Sequence, residues 1–465
     1  MISANLPRVM IAGCRSGSGK TSAACGIMRA FGSRGLRVQG FKCGPDYIDP
    51  MYHDRACGAG RASRNLDMFM CSEAAVGYLF GSNAAGADIS VIEGVMGLYD
   101  GLSGGGECSS NAVARATGTP AILVFDPTGM GLSAAAVLYG FTAFRENAVK
   151  GVIFNNTPEK MYGFYRDLIQ RELGVRAFGH LPRMPEAGFP DRHLGLVTPA
   201  EVDGIQARLD ILGRQCERTL DMDGILELAR GSPVFSYDDA ISNDIKRIGD
   251  VRVAIARDAA FCFYYADNLA LLERLGARLI PFSPLADERL PDDVHGLILP
   301  GGYPEEHAAR LSKNAAMLGN VRAALTNGLP CVAECGGFMY LTNSLTDRDG
   351  IAHGMAGFIG ADCAVTGGLK RFGYVTLTAN RDNMLCAKGG SINAHEFHYS
   401  ECGGADSAGY GRGFTASKRD GRSWDCVYAS PSLYAGYPHL HLWGNIDFAR
   451  NFVMCCNRYK EGGRC

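Results

Sequence analysis

The stretch that decides the fold of the first half of this chain is VMIAGCRSGSGKTSAACGIMRAF, residues 9–31. Its apolar start predicts a buried strand, a glycine-rich turn follows, and the residues after the turn have a helical pattern. In a phosphate-binding loop, backbone N–H groups surround the phosphates, a lysine reaches the terminal ones, and the next hydroxyl binds magnesium. We therefore predict a nucleotide-binding loop that uses Gly17, Ser18, Gly19, Lys20 and Thr21.

The loop departs from the strict consensus at one position. The first consensus glycine would fall on Cys14, and the chain has a glycine at position 13 instead. The simpler interpretation is an ordinary strand-to-helix turn. The pair of Lys20 and Thr21 at the start of the helix favours the phosphate loop.

The chain has 465 residues, 47% of them apolar and 20% charged, with a formal net charge of −2. This length and composition are typical of a globular protein with two or three cores. No basic stripe is present, so we expect no nucleic-acid partner. The first ten residues lack the apolar segment of a signal peptide, which favours a cytoplasmic location. The weakly polar stretch 128–144 predicts a buried helix, not a membrane span.

The 17 cysteines are scattered, so we expect reduced thiols and no disulfide framework. Cys331 and Cys335 lie close together in sequence, but no second pair is nearby, and a zinc site is not favoured. The 61 glycines are more informative, because backbone that approaches a ligand closely needs residues without a side chain.

Nearly continuous apolar runs alternate with helical segments along the first half. Parallel strands buried on both faces have this pattern, and it predicts strands at 8–13, 37–42, 89–94, 121–126 and 149–155. Helices are predicted between them, for example over 21–32 and 73–79. The predicted fold class is α/β, with a doubly wound, mostly parallel sheet in the N-terminal half.

The sequence becomes polar and irregular after residue 230, and a second α/β series follows. Its strands are predicted at 251–258, 277–283, 294–302 and 330–337, with a helix near 266–275. We expect a phosphate-loop domain at 1–235, a linker at 236–250 and a second α/β domain at 251–465.

Several carboxylates follow predicted strands of the first domain. Asp46 and Asp49 come after the second strand, while Glu93 ends the third and Asp100 lies in the loop beyond. Ligands of doubly wound sheets bind at the carboxyl ends of the strands. Magnesium prefers few carboxylates together with phosphate oxygens and water. We therefore predict a magnesium site formed by Thr21, Asp46 and Glu93, although each carboxylate alone fits a turn residue equally well.

A candidate nucleophile lies in the second domain. Cys335 follows an apolar strand and precedes two glycines and a helical segment, so its thiolate would lie near a helix N-terminus. Backbone N–H groups of Gly301, Gly302 and Gly336 are candidates for an oxyanion hole. The base would be His439 or His441, which follow a further strand-like stretch. The alternative is that Cys335 is one more buried cysteine.

Taken together, the motifs of the two halves resemble those of the cobyrinic acid a,c-diamide synthase family over nearly the full chain. The first half is similar to the dethiobiotin-synthetase-like phosphate-loop fold, and the second to class I glutamine amidotransferases. The matching stretches are SGSGKT, FKCGPDYIDPMYH, RNLDMFM, VIEGVMGLYDG, LPGGYPE, ECGGFMYL, FGY, HEFHYS and YPHLHLWGN.

The resemblance implies a reaction with ATP, Mg²⁺, glutamine and a corrinoid or related tetrapyrrole. ATP would phosphorylate a carboxylate of the macrocycle, and ammonia released from glutamine at Cys335 would displace the phosphate, once on each of the a and c side chains. It also assigns Asp49 to the substrate or the phosphorylated intermediate. Many class I glutaminases carry a glutamate where this chain has His441, so the third member of the triad is not identified.

The resemblance leaves several points open. The motifs do not distinguish cobyrinate, hydrogenobyrinate and nickel-sirohydrochlorin as the macrocycle, because the synthases that act on these three substrates share them. His395, Glu396 and His398 of HEFHYS face the corrinoid or an interface, or are structural. Whether the chain forms a homodimer is also open. A different class of protein, a ParA-like regulatory ATPase with a degenerate amidotransferase domain, is disfavoured by the intact surroundings of Cys335.

Overall fold

The computed structural model describes residues 1–58, 60–192, 195–404 and 411–463. The chain divides into two compact units. The first contains Met1–Met68 and Ser72–Ile241, and the second contains Phe69–Cys71 and Ser242–Cys465. The short segment Phe69–Cys71 therefore packs with the second unit, although the chain on both sides of it belongs to the first.

Eleven strands of the described residues lie in the first unit. They are β1 (Ile2–Ala4), β2 (Arg8–Gly13), β3 (Val38–Cys43), β4 (Arg64–Leu66), β5 (Ile89–Glu93), β6 (Ala121–Phe125), β7 (Val149–Phe154), β8 (Arg176–His180), β9 (Asp191–Arg192), β10 (Gly195–Leu196) and β11 (Phe235–Tyr237).

Seven of these strands form one sheet, in the order β4-β3-β5-β2-β6-β7-β8, and all neighbours are parallel. Two antiparallel pairs, β1 with β11 and β9 with β10, complete the strands of the unit. Strands β2, β3, β5 and β6 are buried along their whole length, as expected for a parallel sheet covered on both faces.

The helices of the first unit lie between the parallel strands or follow the last of them. They are α1 (Lys20–Ser33), α2 (Ile48–Cys57), α3 (Glu73–Ala84), α4 (Ser110–Ala116), α5 (Ser133–Ala143), α6 (Glu159–Leu173), α7 (Ile205–Thr219) and α8 (Met222–Arg230), with α9 (Ala240–Asn243) at the unit boundary. Short 3₁₀ turns occur at Leu102–Gly104, Pro185–Ala187 and Pro199–Glu201.

The second unit is a mixed α/β structure. Its strands are β12 (Val251–Ala256), β13 (Ala277–Phe282), β14 (Gly296–Leu299), β15 (Cys331–Glu334), β16 (Ser344–Thr346), β17 (Ala352–Gly354), β18 (Asp362–Val365), β19 (Arg371–Ala379), β20 (Ser391–His398), β21 (Ser400–Gly403), β22 (Arg412–Ser417), β23 (Ser423–Ser430), β24 (Leu433–Gly436) and β25 (His439–Leu440). Its helices are α10 (Ala266–Leu275), α11 (Ala308–Lys313), α12 (Ala315–Thr326), α13 (Gly336–Leu341) and α14 (Ile446–Lys460), with 3₁₀ turns at Pro304–His307 and Leu442–Gly444.

Ten of its strands form the main sheet, in the order β13-β12-β14-β15-β24-β23-β22-β19-β20-β25. The first five are parallel, and the pairings from β24 to β25 are antiparallel. A second sheet has the order β17-β16-β18-β21. The predicted α/β class is confirmed for both halves of the chain.

Two expectations are corrected by the structure. Helix α5, within 128–144, is buried only through Ala134, Ala135 and Leu138, while Tyr139 is 61% exposed, so it is a partly exposed helix and not an internal one. Cys363 and Cys402, directly opposite each other on β18 and β21, form a disulfide, where only reduced thiols were expected.

In the part of the chain that the structure describes, no helix combines the length and apolarity that a membrane crossing requires.

Candidate active sites

The predicted phosphate loop connects β2 to α1. Gly17 and Gly19 have φ angles of +71° and +90°, which residues with a side chain rarely adopt. A Cβ atom at Gly13 would lie 2.2 Å from Ser18 Oγ and 2.9 Å from Lys20 Cδ. The glycine that appears one position early in the sequence is therefore required by the way the loop folds back over the end of β2.

The interior of this loop suits an anion. Lys20 Nζ donates to the carbonyl of Arg15 at 3.0 Å. Burial and the nearby Lys42 lower the pKa of Lys20 to about 8, against the opposing effect of nearby carboxylates, so a phosphate beside it would restore its full charge. The buried Ser18 Oγ has no hydrogen-bond partner among the described residues. These features fit a nucleotide phosphate, which accepts hydrogen bonds.

Glu93 ends β5 and is completely buried beside the loop. Its Oε1 accepts from Thr21 Oγ1 at 2.7 Å and from Lys42 Nζ at 3.0 Å. Its Oε2 lies 2.6 Å from His53 Nε2, and His53 Nδ1 lies 3.0 Å from Ser63 Oγ. Glu93 therefore connects the hydroxyl that follows the loop lysine to two basic side chains that the sequence analysis missed.

The two predicted aspartates have different surroundings. Asp49 Oδ2 lies 2.5 Å from Lys42 Nζ, and Asp49 Oδ1 lies 3.5 Å from Thr21 Oγ1. Asp46 Oδ1 instead accepts from the backbone N–H groups of Ile48 and Asp49, at the turn into α2. The structure thus brings Thr21, Asp49 and Glu93 together and places Asp46 one turn away. Asp100, also considered from the sequence, accepts from the Gly97 N–H.

The electrostatics of this cluster follow from burial and pairing. Burial disfavours the charge on Lys42, but Asp49 and Glu93 outweigh it and raise the pKa of the lysine. Burial also opposes the charge on Glu93, yet Lys42 and His53 lower the pKa of Glu93 below its ordinary value. The pKa of Asp49 is raised by burial and by the carboxylates of Asp46 and Glu93. Asp49 is therefore the carboxyl of the cluster that most readily accepts a proton.

Within the described ranges, no group of three His, Cys, Asp or Glu side chains is placed to hold a metal ion unaided. A magnesium ion bound mainly by phosphate oxygens and water needs no such group, and the magnesium site of Thr21, Asp46 and Glu93 stays a prediction. The Thr21 hydroxyl and the Glu93 carboxylate, 2.7 Å apart at the end of the loop, are oxygen groups of the type that magnesium prefers.

The candidate nucleophile lies in a tight turn of the second unit. Cys335 stands between β15 and α13 with φ +47° and ψ −102°, a conformation that costs an ordinary residue energy. Its side chain is buried. A Cβ atom at Gly337 would lie 2.0 Å from the Leu299 carbonyl oxygen, and one at Gly336 would lie 2.8 Å from Pro304 Cδ and 3.2 Å from the Gly302 nitrogen. The turn therefore requires both glycines and brings two of the predicted oxyanion donors close together.

His439 is the histidine that the structure places at the nucleophile. Its side chain hydrogen-bonds with the Cys335 thiol. It begins β25, which pairs with β20 so that His439 lies opposite His395. A Cβ atom at Gly301 would lie 2.6 Å from His439 Cε1, so this glycine makes room for the ring. Burial alone would lower the pKa of His439, but the Cys335 thiol and the nearby Glu334 carboxylate raise it to about 10.

His441 has other neighbours. Its Nδ1 lies 3.3 Å from Cys71 Sγ, and its ring lies 4.8 Å from that of Tyr265. Burial lowers its pKa to about 3. None of these contacts involves Cys335, so the structure brings His439 and not His441 to the thiol. A catalytic role for His441 stays a prediction.

The histidines of the HEFHYS stretch lie on β20, near His439. The ring of His398 stacks on Tyr437 at 3.7 Å. Burial lowers the pKa of His395 to about 3 and raises that of Glu396 to about 7. These residues surround the histidine of the candidate pair, and their role stays a prediction.

The two units define a class of protein that joins a phosphate-loop nucleotide-binding domain to a glutamine amidotransferase domain. Residues 9–196 match the model of the CobQ/CobB/MinD/ParA nucleotide-binding domain. Residues 252–446 match that of the CobB/CobQ-like glutamine amidotransferase domain.

Three curated relatives, all named cobyrinate a,c-diamide synthase, match nearly the whole chain. The protein of Caldanaerobacter subterraneus subsp. tengcongensis is 38% identical, over 97% of this chain and 98% of the relative. That of Thermoplasma volcanium is 37% identical over 98% of each, and that of Listeria monocytogenes serovar 1/2a is 39% identical over 94% of this chain and 97% of the relative. The chain belongs to the cobyrinate a,c-diamide synthase family, which confirms the resemblance.

The packing of Gly301 against His439 yields a prediction. In Gly301→Ala, the new methyl group would collide with the imidazole, and we expect glutamine-dependent turnover to fall by about 10- to 100-fold, because displacement of a reacting group by about 1 Å costs this much. Turnover with added ammonium chloride should be unchanged. Gly319→Ala is the control, since a Cβ there meets no atom within 4 Å. Equal loss with both nitrogen sources would contradict the prediction.

Proposed function

We propose that this chain converts the a and c carboxylates of cobyrinate into amides, with glutamine as the nitrogen source and ATP as the activating substrate. The chain is an ATP-dependent, glutamine-hydrolysing ligase that forms carbon–nitrogen bonds. The assignment of cobyrinate as the substrate rests on the match to a cobyrinate a,c-diamide synthase over 97% of the chain. The phosphate loop with its buried acids and the Cys335–His439 pair support the two halves of the chemistry.

The domains would divide this work. We propose that residues 1–235 bind ATP and activate the carboxylate, that 236–250 link the domains, and that 251–465 release ammonia from glutamine. The cytoplasmic location and the homodimer stay predictions.

Ammonia release would begin at the thiol of Cys335. The thiolate attacks the side-chain carbonyl carbon of glutamine, and backbone N–H groups of Gly302 and Gly336 donate to the developing oxyanion. The imidazolium of His439 gives its proton to the leaving nitrogen. Ammonia departs, and a glutamyl thioester remains on Cys335. His439 then takes a proton from the water that hydrolyses the thioester to glutamate. The proximity of the thiol and imidazole supports this sequence.

Carboxylate activation would take place at the phosphate loop. A carboxylate oxygen of cobyrinate attacks the γ-phosphorus of ATP, ADP leaves, and ammonia then displaces phosphate from the acyl phosphate to give the amide. Lys20 and the loop N–H groups would hold the transferring phosphoryl group in place. When bound, magnesium neutralises phosphate charge, and we propose Thr21 and Glu93 as its protein ligands, with Asp46 near the site.

Asp49 and Lys42 would receive the substrate carboxylate. Asp49 has a raised pKa and a lysine at 2.5 Å, so this pair presents less negative charge than an isolated carboxylate. A second carboxylate can therefore approach without strong repulsion. We propose that Asp49 positions the substrate in this way.

The assignment of Cys335 is tested by changing the nitrogen source. In Cys335→Ala, we expect amidation with glutamine to fall by more than about a thousandfold, because the nucleophile is absent. Amidation with ammonium chloride should remain within about twofold of wild type, since ATP and the macrocycle bind elsewhere on the chain. Product masses measure both. Cys331→Ala is the control, because that thiol is buried in β15. A Cys335→Ala chain that still uses glutamine would contradict the proposal.

The role of Glu93 is tested in the ATP-dependent amidation with ammonia. In Glu93→Gln, we expect amidation with ammonia to fall by about 10- to 100-fold and to require more magnesium for half-saturation, because the carboxylate beside Thr21 is lost. Glutamine hydrolysis should remain measurable. Glu146→Gln is the control, since that carboxylate is 79% exposed and pairs with Arg115. An unchanged magnesium dependence of Glu93→Gln would count against the assignment.

A further inference from the structure

The histidine of a thiol–imidazole pair needs a group that fixes the orientation of its ring. In this chain the residue two positions after His439 is a histidine, and its ring contacts Cys71 and Tyr265. The orienting group must therefore come from another part of the fold.

A carboxylate reaches His439 from the residue immediately before the nucleophile. Glu334 Oε2 lies 3.6 Å from His439 Nδ1, and Glu334 Oε1 accepts from the backbone N–H of Leu440 at 3.1 Å. One carboxylate thus engages both the imidazole and the peptide group that follows it. We propose that Glu334 is a positioning residue, which orients His439 toward the thiol of Cys335. The proposal rests on the glutaminase role of this pair.

The position of Glu334 is set by the sheet. It is the last residue of β15, and β15 pairs in parallel with β24 so that Glu334 lies opposite Gly436. Gly436 is followed closely by β25, which carries His439. Strand β15 therefore ends at the carboxylate of Glu334, and the nucleophile Cys335 follows directly. The neighbouring strand β24 leads to the base, His439.

The contact determines which ring nitrogen serves the thiol. A carboxylate at Nδ1 favours the proton on that nitrogen, so that Nε2 remains for Cys335. The distance of 3.6 Å is long for a hydrogen bond, and such catalytic contacts shorten when the substrate binds. The backbone bond to Leu440 keeps the carboxylate beside the ring in the absence of substrate.

The charge of Glu334 also affects the pH range of the pair. The Cys335 thiol and the nearby Glu334 carboxylate raise the pKa of His439 to about 10, against the effect of burial. The titratable groups that surround His439 are Cys335, Glu334, His395, Glu396 and His398. A group with a raised folded-state pKa keeps its proton until the pH passes that value. Loss of the Glu334 charge lowers the pKa of His439, so the imidazolium would be lost at a lower pH.

The test compares Glu334→Gln and Glu334→Asp with the wild-type chain. In Glu334→Gln, we expect kcat for glutamine hydrolysis to fall by about 10- to 100-fold with little change in KM, because an oriented acid–base group is worth this much or more. The alkaline limb of its kcat profile should move to lower pH by about one unit or more. In Glu334→Asp, kcat should be intermediate and the alkaline limb close to wild type. Glu401→Gln, a change at a 67% exposed carboxylate paired with Lys370, is the control.

Each outcome decides the proposal. A Glu334→Gln chain with the wild-type kcat and alkaline limb overturns it, and so does a Glu334→Asp chain as impaired as Glu334→Gln in both respects. If Glu334→Gln does not fold, as judged by loss of ammonia-dependent amidation, Glu334→Asp is compared with the wild-type chain alone: a reduced kcat with the wild-type alkaline limb supports the proposal, and a wild-type kcat or an alkaline limb moved to lower pH overturns it. Failure of the glutaminase role is distinguished by Cys335→Ala, which would then retain glutamine-dependent turnover.

Discussion

The conformation of one residue constrains much of the second unit. Cys335 holds a φ of +47° at the junction of β15 and α13, and a non-glycine residue in such a conformation costs on the order of 1–3 kcal/mol. The neighbouring packing is close, because a Cβ atom at 336 would lie 2.8 Å from Pro304 Cδ and one at 337 would lie 2.0 Å from the Leu299 carbonyl oxygen. The thiol is thereby presented at the end of a parallel strand, where the histidine and the proposed oxyanion donors also lie.

The first unit is governed by buried charge. Lys42, Glu93 and His53 lie almost entirely out of water, and a buried charge is stable only when it is paired. Both oxygens of Glu93 are paired: Oε1 accepts hydrogen bonds from Thr21 and Lys42, and Oε2 contacts His53. This network fixes the carboxylate beside the hydroxyl that ends the phosphate loop. The loop itself keeps a buried serine hydroxyl and a lysine for the phosphates.

The sequence predicted the parts of the fold that depend on local pattern. Buried parallel strands are continuous apolar runs, so β2, β5 and β6 were predicted within one or two residues, and the loop was recognised from its lysine and hydroxyl. Lys42 and His53 were missed because each lies in an ordinary strand or helix pattern. The parallel pairing of β3 with β5 sets Lys42 opposite Glu93, and the packing of α2 brings His53 to the same carboxylate.

Glu334 was missed for a related reason. The familiar signal for the orienting acid is a glutamate two residues after the histidine, and here that position is His441. The pairing of β15 with β24 brings a carboxylate from more than a hundred residues away, and no local spacing predicts this. The disulfide between β18 and β21 likewise depends on strand register, and the contact of His441 with Tyr265 depends on tertiary packing; the single sequence defines neither.

We propose that the terminal phosphate of ATP passes to a carboxylate and not to water. Cobyrinate labelled with oxygen-18 in its carboxylates, incubated with the chain, ATP, magnesium and glutamine, measures this directly. We expect each new amide to be accompanied by one labelled oxygen in the released inorganic phosphate, because ammonia breaks the C–O bond of the acyl phosphate and the departing phosphate keeps the bridging oxygen, which came from the carboxylate. Diamide formed together with unlabelled phosphate would contradict the account.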